Sequence, residues 1–225
     1  ETDYSLPPVP VIPDAPLPVG VQFTESMKGY FSPADAGDYQ AGFDRGEAAG
    51  STFEFVLTVI SDDIDRLLET PEHEAAMVGT VRAPKLSADP LTVTEGRFNL
   101  FVDTDAGPVT KKMLYNMVMS TEEGRRYRFS GFKMVRDDPG FDLWSDTTTL
   151  YVTVYDGVPE DSAVLGTGIL KILPDDFARQ MTTMHANGNK GVIEGFGAIA
   201  KFGKAFAGDL LEVYGGVDKL FRNSS

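Results

Sequence analysis

Residues 91–136 read LTVTEGRFNLFVD (91–103), TDAGPVT (104–110), KKMLYNMVMS (111–120), TEEG (121–124) and RRYRFSGFKMVR (125–136). Long runs rich in Val, Phe, Tyr, Leu and Met are broken by Asp105-Ala106-Gly107-Pro108 and by Glu122-Glu123-Gly124, which are residues that reverse a chain. Neither break is long enough for the helical crossover that a parallel strand pair requires, so these runs are antiparallel neighbours.

The same grammar extends in both directions. Upstream, Phe53, Phe55, Leu57 and Val59 alternate with Glu54, Val56, Thr58 and Ile60, and Val78 to Arg82 forms a further short strand. Downstream, Thr147 to Tyr155 and Ala163 to Ile172 follow the turn Asp137-Asp138-Pro139-Gly140. Seven strands with alternating faces predict a mainly β fold, an antiparallel meander closing as a lipocalin-like barrel or a β-sandwich, since either arrangement hides the sheet edges.

Helical signals are fewer. Ser61 or Asp62 can cap a short helix with Ile64, Leu67 and Leu68 inward, stopped at Thr70-Pro71, and a turn of helix is expected around His73 to Met77. Pro174 suits the first turn of a helix carrying Phe177, Met181 and Met184. Phe196, Ile199, Phe206, Leu210, Val213, Val217 and Leu220 recur at helical spacing, predicting an amphipathic C-terminal helix over 194–221 that docks on the β-structure or caps its cavity. The stretch Val21 to Ala49 has no clean period and reads as an irregular collar. Residues 1–20, with prolines at 7, 8, 10, 13, 16 and 18, read as a leader or linker ahead of a single β-rich domain, 21–225.

With 225 residues, 42% of them hydrophobic, the chain can build a substantial core. The net charge of −14 lies in the first half: residues 1–110 hold 19 Asp and Glu against 6 Lys and Arg. An acidic surface repels phosphate backbones and anionic headgroups, which argues against nucleic acid as a partner. No apolar run is long enough for a transmembrane helix, because Lys201, Lys204 and Asp209 interrupt the C-terminal one. The composition is that of a soluble acidic protein. Without cysteine there is no disulfide, and bacterial cytoplasm and periplasm are both compatible.

Cofactor chemistry finds no motif. His73-Glu74-Ala75-Ala76-Met77 begins like a zinc-protease helix but places Met77 where a second imidazole must stand. His185 is solitary. With no cysteine and two separated histidines, no transition-metal site is expected. Gly166-Thr167-Gly168 lies inside a strand pattern, so no flavin or dinucleotide is expected either. Asp137, Asp138 and Asp142 crowd one segment around Trp144 and could hold calcium through oxygen ligands; salt bridging with Arg136 and Lys133 is the competing reading. The remaining feature is an apolar inner face rich in adaptable thioethers. Met113, Tyr115, Met117, Phe129 and Met134, with Trp144 and Phe206, are the candidate ligand-binding residues.

Gly96-Arg97-Phe98-Asn99-Leu100-Phe101, Ser130-Gly131-Phe132-Lys133, the run from Arg136 to Trp144, the run from Asp146 to Thr153 and Asp176-Phe177-Ala178-Arg179-Gln180 together carry a resemblance. Across about Phe23 to Tyr214 the chain resembles an accessory region of long bacterial proteins that also carry a cholesterol-oxidase-like flavin domain of the glucose-methanol-choline family and, often, an α/β-hydrolase domain. That resemblance implies work beside oxidation or hydrolysis of sterols or other lipids, with an oxidoreductase or hydrolase as partner. The flavin and hydrolase motifs are absent here, so it transfers no catalytic residue. Three functions follow as expectations: a noncatalytic domain binding an apolar ligand such as a lipid or sterol, a small cofactor-free lipid or steroid isomerase, or a structural interaction module.

Overall fold

The computed structural model describes residues 18–33, 37–103, 110–136, 147–187, 197 and 199–204. Strands β1 (Gly20–Ser32), β2 (Thr52–Ser61), β3 (Glu74–Arg82), β4 (Leu91–Asp103), β5 (Thr110–Ser120), β6 (Arg126–Arg136), β7 (Thr149–Tyr155) and β8 (Val164–Lys171) each pair antiparallel with the next. β1 closes the sheet by pairing with both β2 and β8, so the meander is a closed up-and-down barrel and not a sandwich. Closure removes every edge from this ring. A short ninth strand, β9 (His185–Asn187), pairs with the start of β1.

Helices α1 (Tyr39–Ala48), α2 (Ile64–Glu69) and α3 (Pro174–Thr183) decorate the barrel. The cap of α2 is Asp63, one or two residues later than the sequence suggests; its Oδ1 accepts from the N–H groups of Asp65 and Arg66 at 3.0 and 3.1 Å. Ile64 and Leu67 face inward as expected. Pro174 stands in the first turn of α3. Residues 199–204 are helical, and the rest of the expected 194–221 helix, apart from residue 197, lies outside the described residues.

Two expectations fail. Residues 20–32 are not an irregular collar but the strand that closes the barrel, with Val21, Phe23, Met27 and Phe31 buried. The period was hidden because the in-phase residue between Phe23 and Met27 is Glu25, a carboxylate turned into the core. The same stretch also holds α1, whose Gly42 and Gly46 press on the barrel wall: a Cβ at Gly42 would lie 2.2 Å from Thr167 O, and one at Gly46 would lie 2.8 Å from Phe31 O. Without apolar side chains at those positions the helix carries no hydrophobic stripe to read.

The second failure is at His73 to Met77, which is no helical turn. His73 adopts φ 43° and the chain enters β3 at Glu74, where Ala75 pairs with Phe98 and Ala76 with both Ile60 and Arg97. Two flanking strands override the helix propensity of Glu, Ala and Met.

The interior is filled from one end. Phe31, Phe53, Phe129, Phe55, Tyr115, Phe98 and Phe23 form a continuous series of ring contacts with centroids 5.0–6.4 Å apart. At the α1 end, the Tyr127 hydroxyl donates to Leu86 O at 3.1 Å, and Leu91 and Met119 are fully buried. The opposite end, where β1 begins and β8 finishes, contains the cavity.

Candidate functional site

Strands β1, β5 and β6 each turn one polar side chain into the barrel near that end: Glu25, Tyr115 and Lys133, exposed by 1%, 1% and 3%. Period-two alternation dictates this. Phe23 and Met27 flank Glu25 in phase, and Phe129, Gly131 and Val135 share the inward face of β6 with Lys133. The Lys133 ammonium donates to Glu25 Oε1, forming a buried ion pair, and the Tyr115 hydroxyl donates to Glu25 Oε2 at 2.8 Å. Lys133 Nζ also stands 5.1 Å from the centre of the Tyr115 ring. Both carboxylate oxygens are thus engaged, and the charges compensate each other inside an apolar shell.

Burial, together with the charge and hydrogen bond of Glu25, pushes the Tyr115 phenol well above its ordinary value of 10.0, so it remains a donor. In the unfolded chain this phenol ionises near its ordinary value while in the folded barrel it stays protonated. The folded state therefore binds more protons, and stability falls as pH rises above 10. Urea titrations at successive alkaline pH values should show a steeper loss for the wild type than for Tyr115→Phe, and parallel curves would contradict this assignment.

Above the triad lies a cavity of about 190 Å³, walled chiefly by Phe23, Phe98, Leu100, Met113, Ile172 and Met184. Phe202, from the helical segment 199–204, bounds it with its ring centre 6.0 Å from that of Phe23, and is 3% exposed. On the outer side of that segment, Lys201 is ion-paired with Asp65, which raises the lysine pKa.

Helix α3 covers the gap in β1 between its pairing with β8 (Lys28–Ser32) and with β9 (Gly20–Gln22). There the Thr24 N–H donates to Thr183 Oγ1 at 2.8 Å, so a helix side chain stands in for a neighbouring strand. One turn earlier, Gln180 reaches the cavity, and its amide oxygen is buried with no hydrogen-bond partner among the described residues.

Of the residues singled out from the sequence, Met113 and Tyr115 line this cavity. Met117 and Phe129 are buried deeper, Phe129 against Phe53 and Phe55. Met134 is half-buried on the outward face of β6, because the inward positions flanking it are Lys133 and Val135, in phase with Phe129. Lys133 accordingly pairs with Glu25, and salt bridging to the aspartate segment is not needed to explain it. Trp144, Phe206, Asp137, Asp138 and Asp142 lie outside the described residues. Both histidines contact nearby backbone carbonyls, His73 Nδ1 with Leu67 O at 2.9 Å and His185 Nδ1 with Thr183 O at 2.7 Å.

Among the described residues no three His, Asp or Glu side chains gather as a metal site, and no helix is long and apolar enough to cross a membrane. Fold and site define a closed, lipocalin-like antiparallel barrel with a partly open, mostly apolar cavity at one end, beside a buried Glu–Lys–Tyr network. Comparison with protein-family models, curated proteins and solved structures finds no match for this chain.

Proposed function

We propose that the barrel is a noncatalytic binding domain for a small, mainly apolar molecule held in the cavity between Phe98, Leu100, Met113 and Phe202. The observation that carries this reading is the lining itself: apolar side chains from several strands converge with a few fixed polar groups, the usual composition of a ligand site. An apolar cavity of roughly 150 Å³ accepts benzene. At about 190 Å³ the present one takes a ring or a short alkyl chain and is smaller than the roughly 300 Å³ at which drug-sized pockets begin. A lipid or sterol, the class implied by the resemblance to regions beside cholesterol-oxidase-like domains, would insert one end only.

A cofactor-free isomerase is the second reading, because Glu25 and Tyr115 line the same cavity as a carboxylate and a phenol donor. Glu25 already accepts from two partners, which suits it to structure better than to proton abstraction. The interaction-module reading has less support, since the exposed large apolar side chains among the described residues are Val56, Val78, Val164 and Leu173, each only 37–44% exposed.

Titration of the purified protein with toluene, followed by calorimetry and by native mass spectrometry, tests the binding reading. The wild type should bind. Met113→Trp, which fills the cavity, should weaken binding at least tenfold while keeping a β-type circular dichroism spectrum; Leu100→Phe serves if the tryptophan variant does not fold. Failure of the wild type to bind toluene, any other small hydrocarbon or a small hydrophobic alcohol would refute the proposal.

A further inference from the structure

Gln180 places a polar side chain on the cavity wall that the packing of the barrel does not explain. Its amide oxygen is buried and lacks a hydrogen-bond partner among the described residues, although a leucine at this position would complete an apolar lid. It cannot easily withdraw, because the following turn of α3 is fixed to β1 by Thr183 on the Thr24 N–H. The ionisable groups of the cavity are mutually satisfied: Glu25 accepts from Lys133 and from Tyr115, and the ion pair carries no net charge.

We infer that the molecule bound in this cavity is a small hydrophobic alcohol whose hydroxyl meets the Gln180 amide. The inference rests on the binding reading above and adds the chemistry of the ligand. A fatty-acid carboxylate or an alkylammonium would bring an uncompensated charge into an apolar site whose own charges are already paired. A hydrocarbon would leave the amide oxygen unsatisfied, and a ketone can only accept. A hydroxyl both donates and accepts, so it satisfies the amide whichever of its two ends faces the cavity.

The test uses matched probes of nearly equal shape, benzyl alcohol and toluene, titrated calorimetrically into the wild type, Gln180→Leu and Gln180→Met. The wild type should bind benzyl alcohol at least tenfold more tightly than toluene, and both variants should bring the two affinities together or invert their order. If the wild type binds both probes equally, a resident water already serves Gln180 and the alcohol inference falls while the binding reading stands. If the wild-type preference survives in both variants, Gln180 is not its source and the inference is again overturned. If neither probe binds, the binding reading itself fails. The wild-type comparison decides the matter even if the variants do not fold.

Discussion

Lys133→Met should destabilise the barrel by about 3–5 kcal/mol, the typical cost of removing one partner of a buried ion pair. Lys133 is 3% exposed and its ammonium sits on Glu25 Oε1; the thioether would fill much of the same volume and leave the carboxylate facing an apolar interior. Most of that cost is the desolvated charge left behind, not the worth of the contact. Lys133→Met combined with Glu25→Met should therefore recover a large part of the loss, and adding Tyr115→Phe should recover more by removing the hydroxyl stranded by the loss of Glu25. Urea denaturation of the wild type and of these three variants measures each step of the series. A single variant that loses less than about 0.5 kcal/mol would behave as a surface substitution and would show that the pair is not buried.

The same residues explain where the sequence could be read and where it could not. β4, β5 and β6 were legible because runs rich in apolar and β-prone residues, among them Leu91, Val93, Phe98, Met113, Tyr115, Met117 and Phe129, are separated by short stretches of turn residues. β1 was not legible, since its inward set contains Glu25, and a pattern argument treats a carboxylate as solvent-facing. On β6 Met134 was placed inside along with Phe129, although the two lie on opposite faces and the inward position beside Met134 is the charged Lys133. The two errors share one cause: each charged group is buried only because the other is, and the pairing spans 108 positions of sequence. A Glu and a Lys that are each in phase with apolar neighbours on separate strands are the trace such a pair leaves. Gln180 was invisible for a different reason. A polar residue on a helix flanked by Met181 and Met184 carries no mark of which face meets the barrel until Thr183 is seen joined to β1.

Docking of the described part of the C-terminal segment, 199–204, was legible from its helical spacing, although its buried residue Phe202 was not singled out. Ile199 and Phe206 were assigned to the packed face, and Phe202 stands three positions after the first and four before the second, which is the i, i+3, i+7 spacing of a single helix face. In the structure Phe202 is the buried anchor, 3% exposed and set against Phe23, while Ile199 is half-buried. Truncating a buried phenylalanine to alanine typically costs about 3–5 kcal/mol through lost transfer energy and the void left behind. Phe202→Ala should approach the lower end of that range, because a short helical segment that releases lets solvent into the void. Release has its own signature. The cavity walled by Phe23, Phe98 and Leu100 would open, and binding of an environment-sensitive hydrophobic dye should rise in the variant under conditions where the barrel is still folded. Lys201→Ala removes an exposed ion pair with Asp65 from the same segment and should leave both stability and dye binding close to wild type. If Phe202→Ala matched Lys201→Ala in stability and in dye binding, the segment would not be the wall of the cavity.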